Sequence, residues 1–152
     1  MSILSKIGPA AVLFLVAARR GSKGKVRRHA ARALWDIGSP AVPLLIQALS
    51  DLDSEVRQLA IEALGAIKPA GAEAVPLLAK ALGDADVRVR GSAAEALANW
   101  APAAAAAGPL LIAALSDADS EVHWNAVYAL GKIGSPALPL LINAFRRAST
   151  FR

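Results

Sequence analysis

One phrase, Asp-x-Asp-x-x-Val-(Arg/His)-x-x-Ala-x-x-Ala-Leu, occurs three times in this chain at a constant interval of 33 residues. The copies begin at Asp51, Asp84 and Asp117, and an earlier copy that lacks the acids begins at Val26. Recurrence at a fixed period of about 20–50 residues is the signature of a repeat array, in which each unit packs mainly on its neighbours. The interval therefore predicts the architecture before any single residue is considered.

A second phrase alternates with the first, and its copies start with Pro-Leu-Leu at Pro43, Pro76, Pro109 and Pro139. Each unit then consists of a helix A with the Pro-Leu-Leu phrase and a helix B with the Val-(Arg/His) phrase. We expect a single domain of four such units and a final helix A, which makes about nine antiparallel helices. The predicted units are residues 7–37, 38–67, 68–100 and 101–134, followed by a terminal half-repeat at 135–148.

The residues of helix B predict an amphipathic helix with a defined start. Its apolar face in the second unit comprises Val56, Ala60, Ala63, Leu64 and Ile67. Trp100 occupies the same column as Ile67 in the next unit and is expected in the core. The aspartates expected at the N-cap of each helix B are Asp53, Asp86 and Asp119. The glycines expected to end helices are Gly38, Gly65, Gly131 and Gly134.

These phrases resemble the HEAT repeat family, and within it the short bacterial type that also occurs in phycobilisome lyase subunits. The resemblance covers about residues 7–145. It implies an all-α, right-handed α-solenoid of about four and a half HEAT-like repeats, whose B helices line the concave side. It also implies a ladder in which Arg57 and Arg90 pair with turn aspartates of their own or the next unit. Two positions depart from the pattern, because Gly21 replaces an aspartate and His123 replaces an arginine.

The B helices differ from unit to unit on the side opposite the core, and this side is the candidate binding surface. Its candidate residues are Arg28, Arg32, Trp35, Gln58, Glu62, Glu95, Trp124, Asn125 and Tyr128. Exposed Trp, Tyr and Arg are the residue types most enriched in binding hot spots. Trp124 and Tyr128 are expected to stack on adjacent turns, and a third column places Trp35, Gly65, Ala98 and Gly131 in the groove. The alternative is that both rings cover helix edges or pack under the terminal half-repeat.

Positive charge is concentrated at the start of the chain. Residues 1–35 contain eight basic residues and no acid, whereas the remainder contains nine basic and twelve acidic residues. A cluster of this kind attracts phosphates or acidic protein surfaces. Two interpretations stay open, namely a solvated cap of the terminal unit and a functional patch that includes Arg28 and Arg32.

The sequence shows no constellation typical of catalysis or metal binding. The two histidines, His29 and His123, occupy different repeat columns, and the chain has no cysteine. The glycine- and lysine-rich stretch at residues 21–25 lacks the spacing and the hydroxyl residue of a phosphate loop. We therefore expect no catalytic residue, no metal site and no cofactor.

The apolar stretch at residues 8–18 has two interpretations. It could be the core of a secretory signal, but the basic residues that follow at once oppose export. Its alignment with the later A helices favours the first helix of the array. It is also shorter than the roughly 18 apolar residues of a membrane span. We therefore expect a soluble, cytoplasmic protein.

The last predicted helix, Pro136 to Arg147, has no helix B after it to cover its far side. Leu141, Ile142 and Phe145 cannot all be buried by the preceding unit. We expect the polar residues of this helix to act as a cap and the protein to be a monomer. Dimerisation through this end is the alternative.

Taken together, the patterns favour a non-enzymatic scaffold that binds a protein or an extended peptide on its concave face. Two other functions remain open. The resemblance also admits a bilin lyase-like subunit that holds a linear tetrapyrrole in the groove, and the basic N-terminal unit admits nucleic-acid binding. An engineered scaffold is a further possible origin for such a chain.

Overall fold

The computed structural model describes residues 37–67, 72–101 and 103–149. The helices in these ranges are α1 (Val42–Ala48), α2 (Ser54–Ala66), α3 (Val75–Ala81), α4 (Val87–Asn99), α5 (Gly108–Ala114), α6 (Ser120–Ile133) and α7 (Leu138–Ser149). Short 3-10 turns precede the A helices, at Ser39–Ala41, Ala72–Ala74, Ala103–Ala107 and Ser135–Ala137. The described ranges contain no β-strand, and the predicted all-helical solenoid is confirmed. The predicted first unit lies outside the described residues.

The A helices α1, α3 and α5 begin with a proline in the first turn. Pro43, Pro76 and Pro109 occupy the N1 or N2 position of these helices. Proline suits this position, because its missing N–H would have no partner within the helix and its fixed φ is already helical. The repeated Pro-Leu-Leu phrase therefore marks the start of each helix A.

The B helices begin at aspartate caps. Asp53 Oδ1 accepts a hydrogen bond of 2.9 Å from the backbone N–H of Glu55, and its own backbone is extended. Asp86 and Asp119 accept bonds of the same length from the N–H two residues further on. A carboxylate at this position satisfies an unpaired donor and meets the positive end of the helix dipole. The predicted N-caps are confirmed.

An arginine–aspartate ladder connects successive units. The guanidinium of Arg57 donates two bonds of 2.8 Å to the carboxylate of Asp84 in the next unit and a third to the backbone oxygen of Asp51 in its own. Arg90 repeats the arrangement on the carboxylate of Asp117, at 2.7 and 3.1 Å, and on the backbone oxygen of Asp84. Such two-pronged pairs are strong and directional. The predicted ladder is confirmed, and its carboxylate partner is in the next unit.

His123 occupies the ladder position in α6. Its Nδ1 atom lies 2.7 Å from the backbone oxygen of Leu115, the residue after α5. The imidazole is therefore bound at the end of the helix A of its own unit. This contact gives the predicted departure at His123 a local structural role.

The core is a continuous layer between the A and B helices. All five residues of the predicted apolar face of α2 are no more than 3% exposed. Leu59 and Ile61 are also completely buried, so that α2 is enclosed on more than one side. Trp100 is 9% exposed, and its indole N–H donates a 3.1 Å bond to the backbone oxygen of Leu64 in the preceding unit. The predictions for the helix B core and for Trp100 are confirmed.

The glycines serve two different purposes. Gly38 and Gly134 have φ values of 66° and 73°, in the region that only glycine adopts readily, and they end helices as predicted. Gly65 lies inside α2, where an added Cβ would stand 2.9 Å from the Cβ of Ala96. Gly65 and Gly131 lie near the ends of α2 and α6, as predicted, but both are inside these helices and terminate neither. The missing side chain of Gly65 allows the close approach of α2 and α4.

Neighbouring B helices pack directly on each other, whereas neighbouring A helices scarcely meet. The side of the array that carries α2, α4 and α6 is therefore the shorter, inner side. The last helix A is covered on one side only. Leu141 is partly buried against the core, whereas Ile142 and Phe145 are 51% and 76% exposed, so the prediction that these three residues are not all buried is confirmed. None of the described helices has the length and apolarity needed to cross a membrane.

Candidate functional site

The inner face is formed by the sides of α2, α4 and α6 that point away from the A helices. It carries two columns of candidate residues, which read Gln58, Gly91 and Trp124 and then Glu62, Glu95 and Tyr128. Asn125 lies beside Trp124 on α6. The other three candidates, Arg28, Arg32 and Trp35, lie outside the described residues, as does the basic patch.

The two aromatic residues of α6 are the most prominent apolar groups on this face. Trp124 is 65% exposed and Tyr128 is 56% exposed. The Trp124 ring packs edge-on against His123, with centroids 5.2 Å apart, and the ammonium of Lys132 lies 5.4 Å from the centre of the Tyr128 ring. Within the described residues the predicted stack of Trp124 on Tyr128 is not formed, because each ring is held by its own neighbour. Both rings remain open to solvent.

Asn125 connects two units. Its side-chain amide donates a 3.2 Å hydrogen bond to the backbone oxygen of Gly91, one unit earlier. The side chain is partly buried. This bond holds α6 against α4 beside the aromatic pair. Asn125 therefore lies on the inner face and also fixes the relative position of two of its helices.

Gln58 and Glu62 form a pair on α2. The Nε2 atom of Gln58 donates a 2.8 Å hydrogen bond to the carboxylate of Glu62, which lies one turn further along the helix. The Oε1 atom of Gln58 is buried and has no hydrogen-bond donor among residues 37–67, 72–101 and 103–149.

The third predicted column is divided, because Gly131 is exposed whereas Gly65 and Ala98 are buried, and Trp35 lies outside the described residues. Ala98 is 4% exposed, and the missing side chain of Gly65 faces Ala96 across the helix contact. The B helices α2 and α4 approach each other so closely that these two positions are covered. Gly65 and Ala98 therefore belong to the packing between units.

Two adjoining clefts run between the B helices. The larger has a volume of about 280 Å³ and lies over Gly91, with Gln58, Arg88, Glu95 and Glu121 in its walls. The smaller, of about 200 Å³, lies between α2 and α4. Pockets for drug-sized ligands usually measure about 300–1,000 Å³. The clefts therefore suit single side chains of a partner.

Several residues of these clefts were not predicted as site residues. They are Arg88, Gly91, Ser92, Asn99 and Glu121. Gly91 had a signal in the sequence, because it is a glycine in a column that otherwise carries Gln58 and Trp124. The others lie on flanking turns, where only the positions of the neighbouring helices show that they border a cleft.

Positive charge near the inner face is already engaged. Arg88 binds the carboxylate of Asp86 at 2.8 and 3.1 Å and lies 3.8 Å from that of Glu55. The hydrogen bond from Arg88, and a second from Ser54, hold the pKa of Asp86 well below its usual range.

The ladder arginines are engaged in the same way. The hydrogen bond with Asp84 raises the pKa of Arg57, and the bond with Asp117 raises that of Arg90. Glu95, in contrast, is exposed on the inner face and makes no hydrogen bond or ion pair in the described part of the chain. The unpaired charge that borders the clefts is therefore negative, whereas the ammonium of Lys132 lies against Tyr128 at one end of the face.

Within residues 37–67, 72–101 and 103–149, no group of three or more His, Asp or Glu residues is placed to hold a metal ion. The described inner face presents aromatic, amide and carboxylate groups.

The family pattern for HEAT repeats matches residues 12–98 and again residues 75–152. The chain belongs to the HEAT repeat family. The two matches together cover most of the sequence, and this HEAT repeat protein carries the family's alternation of A and B helices throughout its described part. A comparison with proteins of curated function found no significant match.

Solved structures show the same architecture. A chain of the complex of CpcE and CpcF of phycocyanin lyase from Nostoc sp. PCC7120 is 25% identical, with a TM-score of 0.75 and 88% of each chain covered. An engineered protein is 28% identical, with a TM-score of 0.63 over 93% of this chain and 75% of that one. Computationally designed armadillo repeat proteins for modular peptide recognition are 26% identical, with a TM-score of 0.58 over 90% and 69%.

Proposed function

We propose that this HEAT repeat protein is a non-catalytic scaffold that binds an extended segment of a protein across the inner face of α2, α4 and α6. The exposure of Trp124 and Tyr128 on this face carries the proposal. Large aromatic side chains at the centre of an interface supply much of its binding energy. Their burial by a partner would remove apolar surface from water without any rearrangement of the core.

The contrast between the faces supports this function. The ladder positions keep the same residue types from unit to unit, as Arg57 and Arg90 show. The inner face presents a different chemical group in each unit, namely an amide at Gln58, no side chain at Gly91 and an indole at Trp124. Stacking of the units explains the repeated residues, and a specific partner explains the varied ones.

The relatives support a protein or peptide partner. The designed armadillo repeat proteins are described as built for modular peptide recognition, and the cyanobacterial lyase chain occurs in a complex with a second protein. Repeat arrays bind in this way because their stacked units create a long, preformed surface. The same surface, with its two small clefts, is available in this chain.

The test is capture of peptides from a displayed random library by the intact immobilised chain. The wild type is compared with the double variant Trp124→Ala, Tyr128→Ala and with Leu110→Ala, which removes an exposed side chain from the A helix α5. We expect the wild type and Leu110→Ala to enrich the same peptides and the double variant to lose them. Each aromatic truncation should remove about 2 kcal/mol of affinity, which together weakens binding by two to three orders of magnitude. Enrichment that survives in a folded double variant overturns the proposal.

A bilin lyase-like subunit is the second candidate, because the likeness to the phycocyanin lyase chain extends over 88% of each chain. In this function the inner face would hold a linear tetrapyrrole beside Trp124 and Tyr128. The purified chain would then gain visible absorbance when mixed with a bilin, and the aromatic double variant would not. Absence of that absorbance in the wild type would remove this candidate.

A further inference from the structure

Gly91 is placed where neither packing nor backbone geometry requires a glycine. It lies in the fifth position of α4, and glycine inside a helix is about 1 kcal/mol less favourable than alanine. Its φ is not positive. An added Cβ would have Val122 Cγ2 as its nearest neighbour at 4.0 Å, which is an ordinary contact. The missing side chain of Gly91 therefore leaves open the space above this residue.

That space is the larger cleft, which we call the Gly91 notch. Gln58 and Trp124 occupy the equivalent positions of the units on either side, and both carry long side chains. Glu95 lies one turn further along α4 and also borders the cleft, as do Asp119 and Glu121 from the start of α6. With a volume of about 280 Å³, the notch has room for a long side chain.

The groups around the Gly91 notch are mainly hydrogen-bond acceptors. The carboxylates of Glu95 and Glu121 are exposed and make no side-chain bond within the described residues. Gln58 contributes a polar amide side chain to the wall of the notch. Arg88 also borders the notch, but its charge is compensated by Asp86 and Glu55. A ligand group with several donors and a positive charge complements this set.

The exposed rings beside the notch favour the same ligand. Trp124 belongs to the same column as Gly91, and Tyr128 to that of Glu95. Guanidinium and ammonium groups bind to the faces of Trp and Tyr rings by cation–π attraction. Because the ammonium of Lys132 already lies 5.4 Å from the centre of the Tyr128 ring, the Trp124 ring is the one that remains for a cation of the ligand. Carboxylates and an aromatic ring on one surface therefore attract cationic side chains at adjacent points.

We propose that the Gly91 notch receives an arginine or lysine side chain of an extended, basic protein segment that crosses the inner face. This inference rests on the proposed scaffold function and names the chemistry of its partner. Neighbouring helices are about 8–10 Å apart, so α2, α4 and α6 together span about 20 Å. An extended chain advances about 3.3 Å per residue, and a segment of about six to eight residues covers that distance.

The experiment measures binding of three eight-residue peptides to the intact chain by fluorescence anisotropy at low salt. The first peptide alternates serine with arginine, the second alternates serine with citrulline and the third alternates serine with glutamate. Every second residue is therefore positive, neutral or negative, and citrulline keeps the shape of arginine. We expect the arginine peptide to bind at least tenfold more tightly than the citrulline peptide and the glutamate peptide not to bind. Added salt should weaken the arginine complex. Equal affinity for the arginine and citrulline peptides, or tighter binding of the glutamate peptide or of a single-stranded oligonucleotide, overturns the inference.

Two pairs of variants locate the site. Gly91→Gln fills the notch and should reduce affinity for the arginine peptide at least tenfold, while its melting temperature is equal to or above that of the wild type. Gly83→Gln makes the same change in the exposed turn after α3, where the nearest atom to an added Cβ is the backbone oxygen of Lys80 at 3.6 Å, and should bind like the wild type. Glu95→Gln should weaken binding at least fivefold, whereas Glu73→Gln, an exposed site outside the inner face, should not. Unchanged affinity in a folded Gly91→Gln variant places the ligand elsewhere and overturns the inference.

The outcomes separate this inference from the scaffold function on which it rests. If library peptides bind in a manner that needs Trp124 and Tyr128 but carry no excess of basic residues, the scaffold function stands and the inference fails. If peptide capture is independent of both rings, the scaffold function fails as well.

Discussion

The edge of the solenoid that carries the arginine–aspartate ladder, here called the ladder edge, and the inner face are formed by the same helices. Their residues follow different patterns from unit to unit. At the ladder edge, Arg57 and Arg90 make nearly identical sets of bonds to the aspartates of successive turns. On the inner face, one residue further along each helix, the positions carry Gln58, Gly91 and Trp124. Repetition therefore marks the groups that hold units together, whereas the groups on the inner face vary from unit to unit.

The same contrast is visible in how fully the groups are satisfied. The ladder guanidinium groups are bonded to carboxylate and backbone oxygens at 2.7–3.3 Å. The inner face contains exposed rings and an exposed carboxylate. Substitutions on the two surfaces should consequently affect different measurements, stability in one case and binding in the other.

The largest effect is expected from a charge placed between the two surfaces, in the core of α4. Val89 is completely buried, so Val89→Asp should lower the free energy of unfolding by about 4 kcal/mol or more. Val87→Asp is the control, because Val87 is exposed in the first turn of the same helix, where an acid is favourable. Urea denaturation followed by circular dichroism measures both. Equal stabilities of the two variants would show that the core has been assigned to the wrong side of α4.

A smaller loss is expected from breaking one ladder rung. Asp84→Asn removes the charge that binds Arg57 and should lower the free energy of unfolding by about 2 kcal/mol, since hydrogen bonds to charged groups contribute about 1.5–3 kcal/mol. Glu95→Gln makes the same chemical change on the inner face and should alter stability by less than about 0.5 kcal/mol. Thermal melts of the two variants compare the surfaces directly. A larger loss in Glu95→Gln would contradict the division into ladder and binding face.

The ladder should also determine how stability depends on acid. Burial opposes ionisation of Asp84, but the hydrogen bond from Arg57 outweighs it and the pKa of Asp84 is lowered. The bond from Arg90 lowers the pKa of Asp117 in the same direction. A lowered pKa contributes stability that is complete above the unfolded value of about 3.9 and is lost as the pH falls towards the folded value.

Wild-type stability should therefore decline below about pH 4, where these aspartates protonate in the unfolded chain but remain charged in the folded one. The double variant Asp84→Asn, Asp117→Asn should have lower stability at pH 7 and a shallower decline in acid. Denaturant titrations at a series of pH values between about 2 and 7 measure both slopes. Parallel slopes in the variant and the wild type would show that the ladder aspartates do not govern acid unfolding.

The smallest effects concern the spacing of the B helices. Gly65→Ala places a methyl group 2.9 Å from the Cβ of Ala96, and overpacking of about 1–3 kcal/mol should outweigh the helical preference of alanine. Gly131→Ala meets nothing within 4 Å and should stabilise the chain by about 0.5–1 kcal/mol. Melting temperatures should consequently move in opposite directions. A stabilised Gly65→Ala variant would show that α2 and α4 have room to separate.

The fold could be predicted from the sequence because its main determinants recur. Each copy of the phrase supplied an independent reading of the cap at Asp53 and of the apolar face of helix B, and these readings agreed. Gly65 was misinterpreted because a glycine near the end of a helix and a glycine at a close helix contact look alike in sequence. The distance to Ala96, which lies 31 residues away, distinguishes them.

The candidate site was less accessible to sequence reasoning, because its members are the residues that do not repeat. The exposure of Trp124 and Tyr128 followed from helical geometry, whereas the bond from Asn125 to the backbone of Gly91 depends on how two helices are offset. The contribution of Arg28, Arg32 and Trp35 to the binding surface stays a prediction. For Gly91, the informative feature is the missing side chain. Its significance is visible only in the structure, where residues of α2 and α6 form the walls of the cleft above it.

The contact at Gly65 and Ala96 also gives the solenoid a mechanical asymmetry. The B helices already touch on the inner side, and packed protein interiors resist further compression. The A helices on the outer side are spaced more widely. Bending that narrows the groove is therefore opposed by contact between backbones, whereas bending that widens it meets only the loss of side-chain packing. The groove therefore resists narrowing more strongly than it resists widening.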